Sequence, residues 1–202
     1  MKYPNMTWGT MEAIVNKLGG EEGAKSFLRG TVEIVVKRIL DMIGIVKTSA
    51  TSEKFEAKKK FVVNTKGDAS VKISYLGDNF LSWFLAGEGK VEDAIPEGEL
   101  SYGKLTKGSV DGPIIQELGG EAKAETTLTE MFDLMSKQSN AQEKEDGLLT
   151  NGWANIFYVR DTAGVLRAVD VGWDDGGWHV YARSVESPHG WHDGCQVFSR
   201  NS

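Results

Sequence analysis

Apolar and polar residues change their spacing several times along this chain, and each change predicts an element. Trp8, Met11, Val15 and Leu18 fall at helical intervals behind Thr7, a residue suited to an N-cap, and Gly19-Gly20 stands where a left-handed C-cap is wanted. A second short helix is predicted from Glu21 to Arg29. Glu21 and Glu22 suit the positive end of its dipole, and Gly30 follows its end. Together the two make a helical hairpin.

The period then shortens. In TVEIVVK (31–37) Val32, Ile34 and Val36 share one face, and FVVN (61–64) and VKISYL (71–76) are further β-rich runs bounded by Gly and Asn. GDNFLSWFLAG (77–87) predicts a short helix capped by Asp78. Its Phe80, Leu81, Trp83, Phe84 and Leu85 lie on nearly every side, the mark of a buried helix. Residues 86–99, rich in Gly and Glu, predict a loop.

VDGPIIQELGG then offers Asp111 as a cap, Pro113 in the first turn and Gly119 as terminator. EAKAETTLTEMFDLMSK (121–137) sets Ala124, Leu128, Met131, Phe132 and Met135 on one stripe, the strongest amphipathic pattern in the chain. LGGEEGAKSFL (18–28) and LGGEAKAETTL (118–128) match at several positions. A duplication would produce this, and so would one capping solution selected twice; the second is the plainer account.

A polar segment without period, SNAQEKEDG (139–147), separates a different texture. From Leu148 onward four strands are predicted, NIFYVR, VLRAVDVGW, WHVYARSV and CQVFSR, with DTAG and DDGG as turns. The expected fold is α+β: helical hairpins packed on a mixed sheet in a body at 1–138, and a C-terminal antiparallel β meander at 148–202, with one compact unit as the alternative.

Composition narrows the function classes. A net charge of −6 and a pI near 5.2 argue against a surface for phosphate backbones, so no nucleic-acid partner is expected. KFEAKKKF (54–61) reads as a solvated strand face. One cysteine cannot make an internal disulfide, and Pro4, Asn5, Gly9 and Glu12 interrupt what a signal peptide would need unbroken. Glu33, Lys37, Arg38 and Asp41 likewise interrupt TVEIVVKRILDMIGIVK, so no membrane association is expected, and the location expected is cytoplasmic.

Candidate chemistry concentrates in VGWDDGGWHVYARSVESPHGWHDGC (171–195), which holds all 3 histidines, the 1 cysteine and half of the 6 tryptophans. Trp173 and Trp178 flank DDGG, whose residues tolerate the positive φ of a tight hairpin, so the rings are expected to pair across the strands and Asp174 and Asp175 to serve the turn. His189, His192 and Cys195 have a spacing that could ligate zinc, with Asp193 as a further donor, but the paired knuckles of structural zinc sites are absent. His179 is expected on a solvated strand face. No GxSxG, P-loop or strand-bound GxGxxG is present, and no cofactor is expected.

NKLGGEEGAKSFLRG, VKISYLGDNFLSWFL, VDGPIIQELGGEAKAETTLTEMF and LLTNGWANIFYVRDTAGVLRAVDVGWDDGGWHVYARSVE, with WHDGCQVFSRNS, resemble a family of proteins from metagenomes and candidate-phylum bacteria, often present in several copies per genome. The resemblance covers nearly the whole chain. It implies a bacterial protein and brings no activity, cofactor or catalytic residue.

Two functions fit these residues. The first is a non-catalytic binding or interaction protein presenting Trp173, Trp178 and Trp191 to a protein or small-ligand partner, with completion of the core as the plainer role of those rings. The second is a small hydrolase or metal-dependent enzyme working at the loop 189–195, which requires His189, His192 and an acid to converge.

Overall fold

The structure, a computed structural model, describes residues 7–31, 38–139, 142 and 147–200. It has two compact units, Met1–Lys37 and Arg38–Ser202.

In the first unit, helix α1 (Trp8–Lys17) starts at Thr7, whose side chain accepts from the Thr10 amide. It stops at Leu18, and Gly19 at φ 91° turns the chain into α2 (Gly20–Leu28). The expected hairpin is present, and no residue of either helix is buried. The strand expected at 31–37 lies outside the described residues but for Thr31.

The second unit carries strands β1 (Leu40–Thr48), β2 (Phe55–Glu56), β3 (Ile73–Leu76), β4 (Val91–Glu92), β5 (Gly98–Leu105), β6 (Asn155–Arg160), β7 (Leu166–Asp174), β8 (Gly177–Ser184) and β9 (Gln196–Arg200). Its helices are α3 (Ala57–Lys60), α4 (Asp78–Phe80, continued as a π-turn over Leu81–Leu85), α5 (Asp111–Glu117), α6 (Glu121–Ala124) and α7 (Leu128–Lys137). Seven strands form one mixed sheet in the order β1-β5-β9-β6-β7-β8-β3, and β2 pairs with β4 apart from it. The class is α+β.

Alternation along β6 divides the core. Phe157 and Val159 face a large cluster with Phe80, Phe84, Met131, Val169, Trp178 and Phe198. Ile156 and Tyr158 face a smaller one with Ile114, Ala124, Ala168, Trp191 and Val197. Successive residues of a strand point to opposite faces, so the sheet is covered on both sides.

Several elements depart from expectation for identifiable reasons. FVVN is no strand, because Phe61 closes α3 and only Asn64 bridges Ile73. Gly77, not Asp78, is the N-cap of α4, with Asp78 in its first turn. The single helix expected over 121–137 breaks at Thr126-Thr127. The Thr126 amide bonds the Tyr158 carbonyl at 2.7 Å, and Thr127 opens α7 in a capping box with Glu130. That break lets α6 pack with the smaller cluster and α7 with the larger.

The C-terminal strands follow the expected meander through β6, β7 and β8. β9 instead returns to lie between β5 and β6, parallel to β6. The expected body and β module therefore share one sheet, within the unit that begins at Arg38. Gln138 holds the two ends of the polar connection together: its amide accepts from Leu148 N at 2.7 Å and donates to Leu148 O at 3.1 Å.

Candidate functional site

Strand β3 pairs with β8 only from Ile73 opposite Trp178 to Leu76 opposite Val180, so that among the described residues no strand lies beside the edge of β8 beyond Val180. A groove of about 830 Å³ runs along that edge. Asn79, Trp83, Asp170, Tyr181, Arg183, Glu186 and His189 are among the residues that line it. Asp170 reaches it by strand period: Leu166, Ala168 and Asp170 share the face of the smaller core, with Tyr181 directly opposite Asp170 and Arg183 opposite Ala168.

The walls are held. Asn79 donates to the Ala182 carbonyl at 3.1 Å, Thr162 bonds the Trp83 carbonyl, and the Arg167 guanidinium lies 3.9 Å from the Trp83 ring while bound to Asp161. Arg183 stacks on Trp191 at 3.3 Å and donates to the His189 carbonyl at 3.2 Å.

Behind this wall lies a buried acid. Asp111 accepts from Tyr158 Oη at 2.9 Å and Trp191 Nε1 at 2.7 Å through one oxygen, Oδ1. Its Oδ2 is buried without a hydrogen bond. Burial raises its pKa, and the bonds from Trp191 and Tyr158 oppose that rise. Capping was the role expected of Asp111, but Val110 is the N-cap and this carboxyl serves the core.

Asp170 is the more exposed of the two carboxyls and the less satisfied. Among the described residues nothing donates a hydrogen bond to it and no cation pairs with it. Burial lifts its pKa from the ordinary 3.8 to about 6, Arg183 opposes the rise and Asp111 adds to it. One guanidinium thus stands among two carboxyls.

No protein family, curated protein or solved structure matches the chain.

The tryptophans expected to form a binding face are divided by the sheet. Trp178 is fully buried in the larger core and meets Trp173 edge-on at 5.3 Å, as the hairpin pairing predicts; Trp173 is half-buried. Trp191 is buried in the smaller core on the opposite face. These rings complete two cores and share no exposed surface. Asp175 at φ 48° and Gly176 at φ 77° form the two-residue turn.

The proposed zinc ligands do not converge. Cys195 is buried with its thiol pushed up by burial, whereas His189 and His192 are exposed. Among the described residues one group alone, Asp174, Asp175 and His179, brings its ligand atoms within 4.8 Å of one another. Both carboxylates are exposed at the hairpin turn, where water solvates them.

The sequence held one overlooked signal for the groove. In VLRAVDVGW the face that carries Leu166 and Ala168 also carries Asp170, a carboxyl on a strand face otherwise apolar.

Proposed function

We propose that this chain is a non-catalytic binding protein whose groove along β8 holds a small polar ligand. One observation carries the reading: Asp170 lines the groove with no hydrogen bond from the described residues. A desolvated carboxyl without a donor costs free energy, and a ligand that donates to it recovers that cost. The fixed walls add support, because side chains already held in place lose little entropy on binding. Among the described residues the groove serines, Ser184 and Ser187, have only backbone amides as hydrogen-bond partners, so neither is set against a base. The bacterial origin and cytoplasmic setting expected from the sequence belong to the same proposal.

The test is an amide-shift NMR screen with sugars, amino acids, amines and nucleosides. Shifts confined to Asn79, Trp83, Asp170 and the 181–189 segment are expected. Shifts clustered elsewhere, or none, would overturn the reading.

A hydrolase is the second reading, favoured by His189 lining the same groove as Asp170. Turnover of small esters that disappears in His189→Ala, with the melt unchanged, would put it first.

A further inference from the structure

Cys195 is packed in the smaller core, and among the described residues the exposed Asp174, Asp175 and His179 group has nothing beside it that points to an ion. The charge arrangement around the groove does point to a ligand. Asp170 and Asp111 both bear on Arg183, and together the three groups carry one negative charge more than positive when all are ionised. Arg183 is already engaged, over the Trp191 ring at 3.3 Å and on the His189 carbonyl at 3.2 Å, and among the described residues it forms no ion pair with either acid. Glu186, which also lines the groove, adds another acid.

An anionic ligand would meet this surplus as repulsion. A neutral hydroxyl would donate to Asp170 but leave its charge uncompensated in a partly desolvated place. A cation answers both needs at once, and Tyr181 supplies aromatic surface of the kind that attracts organic cations, beside Trp83, whose ring already carries Arg167 on one face. A bare metal ion is less suited, because Asp170 belongs to no group of three ligating side chains among the described residues.

We propose that the groove selects a small organic amine, bound as its ammonium ion, with Asp170 as the counter-charge. This rests on the reading of the groove as a ligand site and adds the chemical class of the ligand. The N–H donors bond the Asp170 carboxylate and the apolar part of the amine lies against Tyr181 and Trp83. Binding then requires Asp170 to be ionised. Its affinity falls as acid protonates that carboxyl, in surroundings set by Arg183 and Tyr181 on β8, Asp111 on α5, Tyr158 on β6, Cys195 before β9, and Glu186 and His189 in the loop after β8.

Calorimetry on the whole chain tests this with matched pairs: 2-phenylethylamine and 1,4-diaminobutane against 2-phenylethanol and 1,4-butanediol, with amide shifts locating each compound. The amines should bind in the groove near pH 7.5 at least about tenfold more tightly than their alcohols. Asp170→Asn should remove that preference while its melt shows a folded protein, and binding by the unaltered chain should weaken near pH 4.5. Alcohols binding as well as amines, or an amine affinity unchanged in Asp170→Asn, would overturn the ammonium inference and leave the groove reading standing. If neither set perturbs groove residues, the ammonium inference fails, and silence from the sugars, amino acids and nucleosides as well would end the groove reading.

Discussion

Trp178 is fully buried, and Trp173 meets its edge at 5.3 Å across the two-residue turn. Truncating so large a buried ring removes both its burial and the contacts of its neighbours, so Trp178→Ala should cost about 3 to 5 kcal/mol in a denaturant melt. Asp174→Asn and Asp175→Asn should each stay within about 0.5 kcal/mol, since asparagine serves the turn as well as aspartate does. An unchanged melt for Trp178→Ala would contradict the pairing. This turn was legible because its chemistry is local: two residues that accept positive φ, flanked by large rings at partner positions. Asp170 was not, because its significance comes from Arg183 across a strand pair and from Asp111, which is far away in the chain.

At the scale of elements, local chemistry decided where helices stop and tertiary contacts decided how strands pair. The stripe through Ala124, Leu128, Met131 and Met135 reads as one helix, yet Thr126 bonds Tyr158 and Thr127 starts afresh, so the stripe serves two cores. Glu92 of β4 adds to the new start by accepting from the amides of Leu128 and Thr129. Thr127→Ala removes the capping hydroxyl and should lower stability by about 1 kcal/mol, measured by urea melts. A larger loss in Leu128→Ala than in Thr127→Ala is expected, because Leu128 is fully buried. β1 escaped sequence reading for a different reason. A bulge between Met42 and Gly44 breaks its period of two, and Met42, Ile43 and Ile45 all stay exposed. β9 looked like the last strand of a meander, and no local signal marks its return to the centre of the sheet, where contacts with β5 and β6 place it.

For the Arg38–Ser202 unit as a whole, the two acids impose a direction on stability against pH. Asp170 has a folded pKa above its ordinary 3.8, so its stabilising contribution is fully present below that value and is lost as pH rises through about 6. Asp111 shifts in the same direction through burial. Thermal melts should therefore show greater stability near pH 4.5 than near pH 7.5, and Asp170→Asn should flatten that slope. A protein that keeps such a carboxyl beside a groove bears a cost that the fold alone does not repay, which is why ligand binding is the function proposed. The most direct test of this account is the titration of Asp170 itself, followed through its side-chain carboxyl carbon by NMR in the ligand-free protein. A midpoint near the value of about 6 is the expected result; a midpoint at or below the ordinary 3.8 would mean that the carboxyl is already satisfied, and would contradict the account.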